Sequence, residues 1–415
     1  YMGEGFASLL ASAAGDSDGS PAIRLLGLAI GAISLARLAA TPAALRDALG
    51  RAWPLLAPVA VALLSFAWSA DPAMALRRSG ALALTTAFAL FLVTRYDARG
   101  LIDRLLVALG LYCGLSFALI VAAPQIGVHT AAGVLFAEHV GAWRGLSPFK
   151  NDFGRNVAYA AVVFWAAALA RGRGRLVFAA ATAFAVALVA GSRSGQAAVL
   201  FATCAAASAA LALLASFSRR ERSALLLVAA PLAALVAVGA DALASASLSA
   251  LGKDASLTGR SEIWPVVLRA LEGRMALGGG YGAGWETLAA NEVYKALGRV
   301  IGHAHNGYLN LMVDVGVVGL AAAAATLLVY AGRLYAALSR GRSPELVLVA
   351  FATLLFIVAG NWVASFLMKH NSLFWVMLVC LGSELARPAR LRRRAAAPRR
   401  SGDQEVLFGE LQPRR

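Results

Sequence analysis

Long uninterrupted runs of apolar residues recur along the chain and are separated by short polar loops. Most runs approach the ~20 residues that a helix needs to cross the hydrocarbon core of a bilayer. Eleven runs are clear: Ile23–Ala39, Pro54–Ser69, Leu76–Thr94, Leu101–Ala123, Asn156–Ala170, Leu176–Gly191, Ser194–Phe217, Ser223–Ala240, Tyr308–Ala331, Glu345–Phe366 and Ser372–Leu385. A shorter piece, Gly5–Ala14, is interpreted as part of one more helix. The pattern predicts an all-α, polytopic integral membrane protein with about twelve transmembrane helices.

Composition agrees with a membrane protein. Hydrophobic residues make up 60% of the chain and charged residues 14%, whereas soluble domains carry about 25% charged residues. The net charge of +16 does not indicate nucleic-acid binding, because the arginines cluster in short loops and near the C-terminus, where they orient a membrane protein. The three cysteines lie inside apolar runs and form neither a disulfide framework nor zinc spacing. The first residues lack a basic flank, so no cleavable signal peptide is expected.

Loop charges predict the orientation of the helices. We take the basic segment 387–415 as cytoplasmic, because arginine is enriched on that side of a membrane. Counting back through twelve helices, every predicted cytoplasmic loop carries a basic triplet: Arg333/Arg340/Arg342, Arg219/Arg220/Arg222, Arg171/Arg173/Arg175, Arg95/Arg99/Arg104 and Arg37/Arg46/Arg51. The predicted first external loop contains Asp16 and Asp18 and is acidic. Both ends of the protein are therefore expected in the cytoplasm.

The same pattern predicts four parts of the chain. We expect transmembrane helices over 1–240, a long external loop subdomain over 241–306, further transmembrane helices over 307–386, and a basic, disordered cytoplasmic tail over 387–415. Structureless loops as long as 241–306 are uncommon unless they are functional. The loop subdomain is therefore the first place to look for a site.

Histidines mark the end of that loop, directly before an apolar run. His303, His305 and Asn306 precede the run that begins at Tyr308. The N-terminus of a helix disfavours a charged imidazolium, and a neutral imidazole can accept a proton near neutral pH. His305 is therefore a candidate general base. The alternative is a polar side chain that merely lies at the membrane interface.

Two external arginines are not required by the predicted topology. Arg193 lies in the short turn Gly191–Gly195, and Arg260 lies at the predicted start of a helix in the long loop. A guanidinium stays charged and can bind phosphate with two hydrogen bonds. Serines and backbone N–H groups at helix starts add affinity for anions. We expect Arg193 and Arg260 to bind a lipid-linked phosphate, the alternative being that they anchor the protein at the interface.

Taken together, these motifs resemble the O-antigen ligase / O-antigen polymerase family of bacterial envelope glycosyltransferases. His305-Asn306 followed by Gly316-x-x-Gly319 is similar to the family signature. Further segments follow in family order: Trp143–Asn151, Gly191–Gly195, Thr258–Trp264 and Gly278–Trp285. The resemblance covers roughly residues 100–385. It implies a C-type glycosyltransferase-like fold in the bacterial inner membrane, with the active site facing the periplasm.

The resemblance also implies a reaction and its residues. Such enzymes transfer a glycan from undecaprenyl pyrophosphate, and in the ligases the acceptor is a sugar hydroxyl of lipid A–core. The residue matching the base is His305, and those matching the pyrophosphate ligands are Arg193 and Arg260. Secondary candidates are His303, Asn306, Lys150 and Asn151. Direct attack on the anomeric carbon would invert its configuration. No cofactor is expected.

Metal dependence and the acceptor are the open alternatives. Asp16 and Asp18 form an acidic pair in the predicted first external loop. Two carboxylates supply fewer ligands than a divalent metal ion normally needs, so we expect a metal-independent reaction. An O-antigen polymerase or a protein O-oligosaccharyltransferase would use another acceptor. A polysaccharide transporter is disfavoured because the predicted spans are almost free of charge, Asp314 being the chief exception.

Overall fold

The computed structural model describes residues 21–131, 139–215, 260–298 and 300–388. Within these ranges the chain is helical, with one isolated antiparallel bridge and no β-strand. The longer α-helices, in chain order, are α1 (Pro21–Ala39), α2 (Pro42–Ala52), α3 (Ala57–Leu64), α4 (Pro72–Arg95), α5 (Ala98–Ala122), α7 (Lys150–Ala170), α8 (Arg175–Ser192), α9 (Gly195–Leu214), α10 (Arg260–Ala270), α11 (Ala290–Leu297), α12 (Gly307–Ser339), α13 (Pro344–Asn361) and α14 (Leu373–Leu385). A single turn, α6, spans Pro124–Gly127. The all-α prediction is confirmed for this part of the chain.

Seven helices in the described ranges are long and apolar enough to cross a membrane: α4, α5, α7, α8, α9, α12 and α13. The count is eight if the bent pair α1 and α2 forms one span. Ten of the predicted spans coincide with helical segments. The other two, Gly5–Ala14 and Ser223–Ala240, lie outside the described residues. The chain is a multi-pass membrane protein, and the total of twelve helices stays a prediction.

Several spans differ in detail from the apolar runs that predicted them. Pro54–Ser69 is divided into the 3₁₀ turns Trp53–Leu55 and Ser65–Ala67 on either side of α3, because the rings of Pro54 and Pro58 cannot continue a helix from the preceding turn. Chain direction changes by 109° between α1 and α2. Helix α14, at 13 residues, is about 20 Å long, shorter than the ~30 Å hydrocarbon core.

Helix α12 is broken near its start, which the sequence did not predict. Gly316 has φ 64° and ψ −167°, and a Cβ there would lie 2.2 Å from the carbonyl oxygen of Ala276. Glycine at this position therefore allows a backbone conformation and a close contact that a side chain would prevent.

The backbone groups freed by this break bind the chain before α11. Val317 and Val318 donate their N–H groups to the carbonyls of residues 275 and 276, at 2.9 and 3.2 Å. In return, Gly279 and Gly280 donate to the carbonyls of residues 313 and 314, at 2.9 and 2.8 Å. A broken membrane helix persists only where such partners satisfy its backbone. Residues 275–280 are therefore built into the helix break.

Helix α7 forms the centre of the bundle. It is the most buried of the candidate spans, and Tyr159 on it is almost fully enclosed. The Tyr159 hydroxyl and Thr353 Oγ1 of α13 are 3.0 Å apart and share a hydrogen bond. Phe356 and Phe374 pack against the same ring. This central helix begins at one end of the bundle, where the predicted site residues lie, and we call that end the site end.

At the opposite end, a buried ion pair joins the first and last parts of the described chain. Arg51 Nη1 donates to Glu384 Oε1 at 2.9 Å, and the Glu384 side chain is fully buried. Arg387 Nε lies 3.4 Å from the same oxygen. The pair connects α2 to α14 across a separation of 333 residues in the chain.

Candidate active site

A short loop, residues 300–306, carries both candidate histidines and precedes α12; we call it the histidine loop. Two indoles hold it in place. Trp264 Nε1 donates to the carbonyl of Ala304 at 3.0 Å, and Trp285 Nε1 donates to the carbonyl of Ile301 at 3.0 Å. The Ala304 N–H donates to Asn310 Oδ1 at 2.9 Å. The loop is thus fixed by α10, by the turn at residue 285 and by α12 itself.

A separate small core supports this arrangement. It joins α10, the π-helical turn Trp285–Ala289, α11 and the first part of α12. Its buried members are Ile263, Val266, Val267, Leu271, Trp285, Ala289, Val293, Ala304, Leu309 and Val313. Residues 260–298 therefore form a structured cap on the site end. The full predicted subdomain, 241–306, is not tested, because 241–259 lie outside the described residues.

His305 adopts a left-handed backbone conformation, with φ 53°. Such a conformation is rare for a residue with a side chain and costs roughly 1 kcal/mol or more. Asn306 follows as the N-cap of α12, and its Oδ1 accepts from the N–H groups of Tyr308 and Leu309 at 2.9 and 3.2 Å. The structure thus gives the predicted secondary site residue Asn306 a capping role.

His303 makes the local contact that accompanies this conformation. Its Nδ1 accepts from the backbone N–H of His305 at 3.0 Å, and the two rings are 4.2 Å apart between centroids. Desolvation by the surrounding protein, followed by electrostatic interactions with His305, Arg155 and Lys369, lowers the pKa of His303 to about 4. His303 is an exposed residue of the loop, and with this lowered pKa its ring is neutral at pH 7.

Arg155 is a site residue that the sequence reasoning missed. It lies on the first turns of α7, forms an ion pair with Asp152, and is close enough for its charge to act on His303. Lys369, in the turn between α13 and α14, acts on His303 from another side. The sequence did contain an indication of this residue. Like Arg193 and Arg260, Arg155 lies on the predicted external side, where the positive-inside rule does not account for an arginine.

Arg193 ends α8 and lies in the turn before α9. Its backbone is left-handed, with φ 51°, and its exposed guanidinium donates to the carbonyl of Val140 at 3.2 Å. The turn packs tightly on α7, since a Cβ on Gly154 would lie 2.8 Å from Ser194 Cβ. Gly154 is the neighbour of Arg155. Arg193 therefore shares the site end with Arg155 and the histidine loop, on adjacent elements.

Ser194 adds a polar group to this turn. It is the N-cap of α9, is 5% exposed, and its hydroxyl has no hydrogen-bond partner within the described chain. The first N–H groups of a helix are also without intrahelical partners. These N–H groups at the start of α9 lie next to Arg193.

Arg260 is the first residue of α10, but its side chain lies outside the described part of the protein. Its helix is anchored to the histidine loop through Trp264. The structure therefore brings the helix of Arg260 to the site end, and the prediction that its guanidinium binds phosphate is not tested.

Lys150 and Asn151 belong to the first turn of α7, rather than to the external loop where the sequence suggested them. The Lys150 N–H donates to Nε2 of buried His129 at 3.1 Å. Burial, followed by the charges of Arg144, His139 and Lys150, lowers the pKa of His129 to about 4. His129 is thus a neutral acceptor at the start of the helix.

Asp314 also has a structural role. Its carboxylate accepts from the backbone N–H groups of Gly282, Gly284 and Trp285, and the guanidinium of Arg78 is nearby. Arg78 in turn donates to the carbonyl of Gly282. Asp314, near the break in α12, thus stabilises the glycine-rich turn Gly278–Trp285 together with Arg78.

Among the described residues, no group of three histidine, cysteine, aspartate or glutamate side chains could hold a metal ion. Asp16 and Asp18 lie outside those residues. The candidate site residues described at the site end carry basic side chains and imidazoles.

Comparison with known proteins finds similarity to a known family over the part of the chain that carries this site. Residues 176–324 match the family described as O-antigen ligase, a segment that contains Arg193, α10 and the histidine loop. The exopolysaccharide production protein ExoQ of Rhizobium meliloti (strain 1021) is 34% identical over 119 residues. That match spans 27% of this chain and 27% of ExoQ. The resemblance seen in the sequence is confirmed for residues 176–324.

Proposed function

We propose, from the premise that this chain carries the domain of the O-antigen ligase family, that it is an O-antigen ligase. It would transfer a glycan from undecaprenyl pyrophosphate to a sugar hydroxyl of lipid A–core, at the periplasmic face of the inner membrane. The observation that carries this proposal is the fixed histidine loop. It holds His305 at the mouth of an apolar helix, with its ring 4.2 Å from that of His303, on which the charges of Arg155 and Lys369 act.

In this proposal His305 is the general base. It removes the proton of the acceptor hydroxyl while that oxygen attacks the anomeric carbon. The new carbon–oxygen bond forms as the bond to the pyrophosphate oxygen breaks, and the electron pair leaves with undecaprenyl pyrophosphate. Attack from the face opposite the leaving group inverts the anomeric configuration. General-base catalysis of this kind typically contributes roughly 10²- to 10⁴-fold.

Positive charge stabilises the leaving group. Arg193 presents an exposed guanidinium beside the start of α9. We assign Arg193 and Arg260 to the pyrophosphate, as in the sequence interpretation. Fixed positive groups aimed at developing negative charge are a major source of catalysis. These arginines stabilise the negative charge of the leaving group, as a metal ion does in metal-dependent enzymes. Transfer should therefore continue in the presence of a chelator.

A polymerase is the second candidate. The similarity to an exopolysaccharide production protein favours it, because polymer assembly joins two lipid-linked glycans by the same chemistry. Only the acceptor differs: a second lipid-linked glycan instead of lipid A–core. His305 and the arginines keep their roles in either reaction.

The direct test is transfer in vitro. Purified protein would be mixed with undecaprenyl-pyrophosphate-linked glycan and lipid A–core, with and without EDTA. We expect capped lipid A–core in both conditions. Loss of transfer in EDTA and its restoration by magnesium or manganese would contradict the metal-independent mechanism, and replacement of Asp16 and Asp18 by Asn would then be the next test.

Deletion of the gene in its host distinguishes the acceptors. For a ligase, lipid A–core stays uncapped while lipid-linked polymer accumulates. For a polymerase, lipid A–core carries a single repeat unit. Loss of glycoproteins with normal lipopolysaccharide would instead identify a protein O-oligosaccharyltransferase.

A further inference from the structure

The two histidines of the histidine loop differ in what they can do. The His303 Nδ1 already accepts a hydrogen bond from the backbone N–H of His305. A neutral imidazole has one acceptor nitrogen and one donor nitrogen. The acceptor of His303 is therefore used inside the loop, and its Nε2 carries the proton.

The bond of His303 closes a turn around a strained residue. His305 has a φ of 53°, and the bond from its N–H to the side chain two residues earlier has the pattern of an Asx turn. Asn or Asp normally makes this turn, with a side-chain oxygen in place of Nδ1. His303 therefore occupies the position from which a side-chain acceptor fixes the backbone of His305.

We propose that His303 is a positioning residue for the base: its Nδ1 holds the left-handed backbone of His305, and so the direction of the His305 ring, only while His303 is neutral. This inference rests on the proposed role of His305. It adds a role for His303 and a dependence on its protonation.

The surroundings keep His303 neutral. Arg155 and Lys369 approach it from α7 and from the turn between α13 and α14, and His305 lies against it in its own loop. Within the described residues, Asp152 is the negative group found to act on it, and Asp152 is itself paired with Arg155. Protonation at Nδ1 would replace the acceptor with a donor, so the bond to His305 would be lost as the pH falls toward about 4.

Two substitutions distinguish the role of the hydrogen-bond acceptor of His303 from that of its imidazole ring. His303→Ala removes the acceptor, and we expect kcat for transfer to fall by roughly 3- to 10-fold, the worth of one ordinary hydrogen bond, with KM for the donor unchanged. His303→Asn restores an acceptor oxygen that does not titrate, so kcat should return to the wild-type value. A fully active His303→Ala, or a His303→Asn as impaired as His303→Ala, would overturn the proposal.

The protonation state and tautomer of His303 can be measured by NMR spectroscopy, independently of transfer activity. The chain has only five histidines, so ¹⁵N-histidine spectra of the full-length protein in detergent can be assigned with the two variants. We expect His303 at pH 7 to be neutral, with Nδ1 unprotonated and Nε2 carrying the proton. A charged ring or the opposite tautomer at pH 7 would overturn the proposal. If the wild-type protein transfers no glycan while this tautomer is observed, the proposed function fails and the His303–His305 contact stands.

Discussion

The backbone of His305 decides how its catalytic role should be tested. Alanine is disfavoured at φ 53°, so His305→Ala alone would mix the loss of a base with backbone strain. Asparagine tolerates the left-handed region better than most residues and cannot serve as a base at neutral pH. Comparison of the two variants therefore separates the loss of the base from the effect of backbone strain.

We expect both His305→Ala and His305→Asn to reduce transfer by at least about 100-fold, because the acceptor hydroxyl loses its base. Initial rates of glycan transfer measure this, and thermal unfolding in detergent serves as the control for folding. Near-normal transfer by the folded Asn variant would remove His305 from the mechanism.

Arg193 tests recognition of the donor. Arg193→Lys keeps the charge and loses the planar fork, so transfer should fall roughly tenfold or more, the worth of a charge-assisted hydrogen bond. The matched control is Arg173→Lys, an exposed arginine in the turn before α8 at the opposite end, which should transfer at the wild-type rate. Equal rates for both variants would show that Arg193 is an anchor.

At the scale of elements, Gly316 makes the break in α12 possible. A side chain at this position meets the Ala276 carbonyl at 2.2 Å and must adopt φ 64°. We expect Gly316→Ala to destabilise the protein by about 2 kcal/mol or more. Thermal unfolding of the detergent-solubilised protein is the measurement.

Gly332→Ala is the control for that experiment. Gly332 lies in the same helix, and a Cβ there meets nothing within 4 Å. Since alanine favours a helix over glycine, this variant should be as stable as the wild type or slightly more stable. Similar losses in both variants would show that the break at Gly316 is not required.

The apolar runs predicted the positions of the helices well, because a helix that faces lipid must be apolar over most of its length. They did not predict the break in α12. A glycine within an apolar run indicates close helix packing as readily as a change of backbone direction. The difference depends on residues 275–280, which lie about forty positions earlier and carry no sign of the contact in their sequence.

Within the candidate site, the sequence predicted the positions of His305 and Arg193 at helix ends. It also contained the signal for the role of Asn306, since asparagine before an apolar run is a preferred N-cap. The contact of His303 with His305 was not predictable, because it depends on the left-handed φ of a residue other than glycine. Arg155 was missed because the helix α7 begins six residues before its apolar run.

At the scale of the whole molecule, the pair of Arg51 and Glu384 tests how the bundle is joined. Glu384→Gln removes the buried carboxylate and leaves Arg51 paired with the half-exposed Asp47, which should cost up to about 3–5 kcal/mol. The control is Glu292→Gln, which breaks the exposed pair with Lys295 and should change stability by at most about 1 kcal/mol. Unfolding midpoints of the two variants would be compared; equal midpoints would contradict a structural role for the buried pair.

The same pair constrains the order of biosynthesis. Arg51 emerges from the ribosome early, but Glu384 follows 333 residues later. Until the last helix is inserted, Arg51 has Asp47 of its own helix as an acidic partner, but the buried carboxylate of Glu384 is missing. Burial of the guanidinium is costly before that carboxylate arrives. The final closure of α2 against α14 therefore waits for the end of translation, and a chain that stops before Glu384 leaves α2 without the carboxylate that it closes against.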